Sequence, residues 1–203
     1  MIRTTFRRAP LRALAVTAAA FTLISLGEVA CAADAPAAAV SLVPAQSEVT
    51  FVAKQLGVPL NGRFKRYSVQ TNFNPKSPQT SQIALSFDLG SVSVSAEADS
   101  ELGKPAWFDR AKFPQATFQS TAIKALGGGK FEVAGKLAIK GSTHDVTVPM
   151  QLTQAGATST ATGSFTIKRL DFKVGDGEWT DTSVVANEVQ VKFKLALQGV
   201  PAQ

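Results

Sequence analysis

From Glu48 onward the apolar residues fall on every second position rather than every third or fourth, and that period predicts strands. Val49, Phe51 and Ala53 alternate with Thr50, Val52 and Lys54. Beyond a turn at Gly57-Val58-Pro59, Leu60, Gly62 and Phe64 alternate with Asn61, Arg63 and Lys65, so the two runs read as a first hairpin. Tyr67, Val69, Thr71 and Phe73 keep step as far as Asn74-Pro75, and Ile83, Leu85 and Phe87 resume after Pro78. The second half is more regular. Phe131, Val133, Gly135, Leu137 and Ile139 share one parity, as do Val146, Val148, Met150 and Leu152; Ala161, Gly163, Phe165 and Ile167 follow, then Val189, Val191, Phe193, Leu195 and Leu197. Lys, Thr, Gln and Ser fill the alternate positions, giving each strand a dry and a wet face, as antiparallel sheets have. So many strands leave edges to hide, and closure into a barrel removes them. Gly127-Gly128-Gly129 reads as a hairpin loop, since a phosphate cradle needs a helix after it.

Alternation fails from Ala96 to Pro114, where short helical turns are expected, with Asp99 or Ser100 as a cap and Pro105 opening a second turn. Trp107, Phe108 and Phe113 need a dry place, so this insertion is expected across one end or side of the barrel. The start of the chain has a different character. Arg3, Arg7, Arg8 and Arg12 precede an apolar run from Ala13 to Leu26 and small residues around Ala30-Cys31-Ala32-Ala33. That is the layout of a secretory signal peptide over residues 1–33, expected to be removed, and the run is short of the ~20 residues a spanning helix needs. Glu28, three places before Cys31, argues against acylation of that cysteine. A flexible tether over 34–39 then leads to one domain over 40–200.

Composition narrows the chemistry. The 203 residues are 45% apolar and include 13 Phe, enough for one core and too many for a disordered chain. Residues 1–32 hold four of the 21 basic and one of the 15 acidic residues, so the remainder carries 17 − 14 = +3, an ordinary surface charge that does not indicate nucleic acid. With a cut after Ala32 or Ala33 the single Cys is expected to leave with the leader, which would exclude disulfides, thiolate catalysis and Cys-held metals from the mature chain.

Four ordered motifs resemble the YceI-like family of periplasmic lipid-binding proteins, from about Val40 to Gly199. They are Gly62-Arg63-Phe64; Trp107-Phe108-Asp109 with Lys112-Phe113-Pro114 and Thr117-Phe118; Gly135-Lys136-Leu137-Ala138-Ile139 with Gly141-Ser142-Thr143; and Ile167-Lys168-Arg169-Leu170-Asp171-Phe172 with Glu188-Val189. The stretch Leu102-Gly103-Lys104-Pro105-Ala106 and the pair Phe172-Lys173 depart from the family pattern. The resemblance implies an all-β fold, an extended, lipocalin-like, antiparallel eight-stranded β-barrel with a short helical insertion, whose lumen binds an isoprenoid-type or other lipid.

On the residues alone, a barrel of about eight strands is just wide enough to be filled by side chains or to hold one small ligand. Ala53, Gly135, Ala161 and Gly163 on inward faces either leave room or mark bends and close strand packing. Each buried CH₂ gains about 0.8 kcal/mol, against roughly 4–15 kcal/mol for association, so only a long polyprenyl, quinone or fatty-acyl tail binds without special polar contacts. The lining residues expected are Phe51, Phe64, Phe87, Trp107, Phe108, Phe118, Leu137, Phe165 and Phe193. Arg169, of inward parity, is expected to pair with an acid such as Asp171 at the barrel mouth or to meet a ligand head group. No enzyme site assembles. His144, the only histidine, and Asp145 point to opposite faces of a strand, and no usual zinc set exists. Asp171, Asp176, Glu178 and Asp181 lack the EF-hand spacing and read as a solvated hairpin loop. The expected partner is an apolar small molecule in the periplasm, with no cofactor, nucleic acid or stable membrane insertion after cleavage; a homodimer is left open. The rival reading is a non-catalytic stress-response or protein-interaction module that uses a filled barrel as a scaffold.

Overall fold

Period-two segments become strands throughout the computed structural model, which describes residues 39–202. The expected leader over 1–33 lies outside the described residues, as does the tether apart from Ala39. Eleven strands form one antiparallel sheet: β1 (Ser41–Leu42), β2 (Glu48–Gln55), β3 (Val58–Phe64), β4 (Tyr67–Thr71), β5 (Ile83–Asp88), β6 (Val92–Ser93), β7 (Gln115–Gly127), β8 (Lys130–Ile139), β9 (Ser142–Ala155), β10 (Thr158–Lys168) and β11 (Glu188–Gln198). Three staves of the barrel are each made of two of these. A 3₁₀ turn at Pro44–Gln46 separates β1 from β2, Lys65-Arg66 separate β3 from β4, and a 3₁₀ turn at Leu89–Ser91 separates β5 from β6. Merging these three pairs turns eleven strands into eight staves, the number expected.

The register carries the sheet back on itself. Successive hairpins join β7 to β8, β9, β10 and β11; β11 pairs with β2 through Gln190–Lys194 and with β1 at Leu197 and Gln198. β2 then pairs with β3, β3 with β6 at Arg63↔Ser93 and Phe64↔Val92, β4 with β5, and β5 with β7. The β3–β4 stave and the β5–β6 stave thus meet through both the five-residue β4–β5 ladder and the two-residue β3–β6 ladder.

Turn chemistry sets the hairpins. Leu56 and Gly57 have φ of 49° and 79°, and Lys140 and Gly141 have 49° and 75°, the pair of left-handed residues that a two-residue turn between twisted strands requires. The first hairpin therefore turns at Leu56-Gly57 and not at Gly57-Val58-Pro59. Pro59 already lies in β3 opposite Lys54, on a stretch whose other edge carries no ladder and so needs no N–H.

The insertion contains α1 (Ala96–Glu101), which begins earlier than its sequence suggests. Ser95 is the cap, its hydroxyl accepting the Ala98 N–H at 3.2 Å, while Asp99 Oδ1 accepts the Val94 N–H at 2.7 Å. Neither Asp99 nor Ser100 caps the helix, because both lie within it and Ser95 supplies the capping oxygen to the Ala98 N–H. Pro105 opens only a turn, closed by the Trp107 N–H on Lys104 O at 3.0 Å.

Antiparallel order puts four connections at one end of the barrel: the β2–β3 turn, the insertion, the β8–β9 turn and the long loop between β10 and β11. The interior is graded along its length. Toward the other end Val49, Phe73, Ile123, Phe131, Val133, Met150, Leu152, Leu195 and Leu197 are buried, with Phe73 packed edge-on against Phe131 at 5.2 Å. Toward the middle and the insertion, the inward residues Phe64, Phe87, Phe165, Val191 and Phe193 pack on the core but are only partly buried, and Phe51 is partly buried as well.

Candidate functional site: an apolar lumen under a cap

The partial burial of inward residues marks a hollow. A cavity of about 210 Å³ runs inside the staves, more than ten times the roughly 10–15 Å³ that seats one water. Phe51, Phe64, Phe87, Trp107, Phe108, Phe118, Leu137, Phe165 and Phe193 all line it, and Arg169 does too. Sequence reasoning passed over aliphatic residues of the same parity, among them Val69, Leu85, Ile167 and Val191, which line it equally. Parity was the available signal, and it applies to every residue on a face.

Three inward glycines shape the wall. A Cβ on Gly62 would lie 2.1 Å from Phe51 Cζ, one on Gly135 2.5 Å from Phe118 Cζ, and one on Gly163 2.4 Å from Phe193 Cζ and 2.3 Å from Pro149 O. Each glycine lets a phenylalanine ring lie flat over the backbone instead of projecting across the lumen. Gly135 and Gly163 therefore leave room for protein rings; close packing is their role.

The end cap is made of the insertion and the β10–β11 loop, joined at Ala106 and Lys140. Ala106 O accepts the N–H groups of Gly175 and Asp176, each at 2.8 Å. Lys140 Nζ donates to Ala106 O at 3.3 Å, to Lys173 O at 2.6 Å and to Asp176 Oδ2 at 3.0 Å. Trp107 and Trp179 bring their rings to 5.4 Å across the same joint.

Arg169 is 3% exposed and organises this loop. Nε donates to Ala186 O at 3.1 Å, Nη1 to Val174 O at 2.9 Å and Gly175 O at 3.0 Å, and Nη2 to Trp179 O at 2.6 Å and Val185 O at 2.7 Å. Five N–H groups meet five backbone carbonyls, the full capacity of a guanidinium. The expected pairing with Asp171 is not formed, because the carbonyls of the loop wrap the guanidinium and Asp171 lies exposed. Burial draws the guanidinium pKa below its ordinary value, and the charge of Asp176 opposes that shift.

The acidic loop is likewise more ordered than a solvated hairpin. It contains 3₁₀ turns at Arg169–Phe172 and Gly177–Thr180, and Phe172, Val174 and Val185 are buried. Asp176 pairs with Lys140, and Asp181 accepts from Ser183 Oγ at 2.7 Å and the Ser183 N–H at 2.8 Å. Among the described residues no three ligating side chains converge on one point. His144 is exposed, with Nε2 2.8 Å from Asp171 O and its ring edge-on to Phe172, while Asp145 pairs with Lys136 at 3.0 Å. Histidine and carboxylate thus serve different partners.

Comparison with known proteins agrees with this geometry. The family model for the YceI-like domain matches residues 41–197. A UPF0312 protein of Yersinia pestis (strain Pestoides F) is 32% identical over 162 residues, covering 75% of this chain and 80% of that protein. The crystal structure of Burkholderia cenocepacia BcnA superposes with a TM-score of 0.74 at 43% identity, covering 77% of this chain and 99% of that one. A polyisoprenoid binding domain from Saccharophagus degradans, 20% identical, has the same fold with a TM-score of 0.64 over 80% of this chain and 99% of that one.

Proposed function

Since the chain belongs to the YceI-like family, we propose that its barrel is a non-catalytic carrier that holds one long apolar molecule, of isoprenoid or other lipid type, in the periplasm. The observation that carries this reading is the hollow. Its walls are hydrocarbon and aromatic, and only Thr71, Trp107 and Arg169 among the lining side chains bear a nitrogen or oxygen. Such walls offer no acid, base or nucleophile, but they reward every CH₂ they desolvate by about 0.8 kcal/mol. The polyisoprenoid binding of the Saccharophagus protein, on the same fold, supports the ligand class. The leader-like sequence over 1–33 supports export. The hollow also weighs against the scaffold reading, which needs a filled interior.

Thermal unfolding in the presence of polyprenols of increasing length tests the proposal. A carrier is stabilised by the longer chains, with the logarithm of ligand concentration over Kd once the ligand is in excess. A Tm unmoved by any chain length would contradict it.

A further inference from the structure

The wet face of the barrel is unevenly charged. Outward positions of β2, β3 and β11, with Lys65 just past β3, carry Lys54, Arg63, Lys65, Lys192 and Lys194, all exposed. The same strands hold two acids: Glu48, opposite Lys194 in the ladder, and Glu188, opposite Lys168 at the end of β10. The rest of the described chain is close to balance, with twelve basic and eleven acidic side chains. Its ion pairs join Arg66 to Asp88, Lys104 to Glu101, Lys136 to Asp145 and Lys140 to Asp176. None of the five cations of the β2–β3–β11 face makes an ion pair among the described residues. Folding does not ask for them, since the outward positions of neighbouring β10 are filled by Thr160, Thr162, Ser164 and Thr166. Like charges on one sheet face repel one another, so a face of unpaired cations is suited to an external anion.

The layout suits a surface of many anions better than a single ion. Register sets Lys192, Thr50 and Arg63 in one row across three strands, so the Cα atoms of the two cations stand about 10 Å apart, and Lys194 follows Lys192 by about 7 Å along β11. Beside this row the wall is not laddered. β1 pairs only with β11 and β4 only with β5, although β1 and β4 are neighbours. A cleft of about 380 Å³ lies on that side, lined by Leu42, Pro44, Phe64 and Tyr67 together with Arg63 and Lys65, with Glu48 as its one acid. Phe64 also lines the lumen, so a single ring is common to the cleft and the interior.

We propose that the outer face of β2, β3 and β11 docks on an anionic phospholipid bilayer and turns the cleft toward the lipid. Charge complementarity supplies the attraction. The choice of a bilayer over an acidic protein rests on the reading of the lumen as a lipid site, because a lipid carrier must meet the membrane that its cargo leaves or enters. Docking by this face sets the unladdered seam, where one ring parts cleft from lumen, against that membrane.

Flotation of the protein purified from its host, with vesicles of phosphatidylcholine alone or mixed in equal parts with phosphatidylglycerol, tests the docking face. The protein should float with the mixed vesicles only. That binding should be lost on raising salt from about 0.1 M to about 1 M, which shortens the screening length from about 10 Å to about 3 Å. Each cation near an anionic surface is worth about fivefold in partition, so Arg63→Gln combined with Lys192→Gln should weaken binding about 25-fold. Lys76→Gln combined with Lys130→Gln removes the same charge elsewhere on the molecule and should change binding far less. Salt titration of the unsubstituted protein stands as a readout even if the first pair of substitutions disturbs the fold. Equal loss in both double variants, equal binding to both kinds of vesicle, or binding indifferent to salt would overturn the docking face. No binding to either vesicle would overturn it as well and leave the cations to an acidic protein. Stabilisation by long polyprenols, measured in the same samples, separates this inference from the carrier reading. A chain that polyprenols stabilise but anionic vesicles do not bind keeps its lumen and loses the docking face, whereas the reverse result upholds the docking face and overturns the carrier.

Discussion

Gly62, Gly135 and Gly163 show how a residue with no side chain can create a binding space. By taking the rings of Phe51, Phe118 and Phe193 against the wall, they convert large side chains into lining rather than filling. In Gly163→Ala the new methyl meets both a ring and the Pro149 carbonyl, and backbone cannot yield as a ring can. We expect a loss of about 1–3 kcal/mol in denaturant unfolding, the usual cost of overpacking. In Gly62→Ala the closest contacts are all with the ring of Phe51, a lumen-lining side chain that can yield, so the expected signature is weakened lipid affinity with a smaller loss of stability. Arg169 is the opposite case, a charge retained for what it ties together. Arg169→Met strands five carbonyls and should cost more than about 3 kcal/mol, and Arg169→Lys should rescue little because an ammonium offers three donors without the planar fork. If Arg169→Lys unfolds at the parent temperature, the organising role is wrong. The inward position of Arg169 was legible from its parity with Ile167. Its partners were not, since backbone carbonyls at Val174, Gly175, Trp179, Val185 and Ala186 leave no mark in a sequence.

Among elements, the long strands β8 to β11 were plain from alternation, whereas β7 and the breaks in three staves were not. Pro44 and Gly90 stand at two of those breaks, yet the same residues mark ordinary turns elsewhere, so only the register reveals that β1 and β2 continue one another. Two breaks are tied together by Arg66 and Asp88, whose Nε and Nη2 reach Oδ2 at 2.9 and 2.8 Å, and Asp88 also accepts the Gly90 N–H at 2.7 Å. The hydrogen bond from Arg66 chiefly holds the Asp88 carboxyl below its ordinary value of 3.8. A lowered folded pKa means stability that is complete above the unfolded value and is lost as pH falls through the folded one. Asp88→Asn should therefore be slightly less stable than the parent near neutrality and lose that difference in acid, a small effect because the pair is exposed. Unfolding midpoints measured from neutral pH to about pH 2 check the sign. At the cap, Lys140 is the joint. Lys140→Met should speed amide exchange across 96–114 and 169–181 and leave β7–β11 unchanged; uniform exchange in both proteins would remove Lys140 from that role.

For the whole molecule, the hollow is the feature that ordinary folding does not explain. At about 24 cal/mol per Å³, leaving the 210 Å³ void unfilled forgoes on the order of 5 kcal/mol of packing, comparable with the entire net stability of many domains. In the carrier proposed above, a long chain in the lumen would restore those contacts. Whether the interior was solid or hollow could not be read from the sequence, because the same alternation serves both. The most direct test is native mass spectrometry of the protein purified from its own host without organic solvent. The account predicts a single species heavier than the polypeptide by one lipid-sized molecule, released intact on denaturation. A mass equal to the bare polypeptide in repeated preparations, with no lipid in the extract, would contradict it.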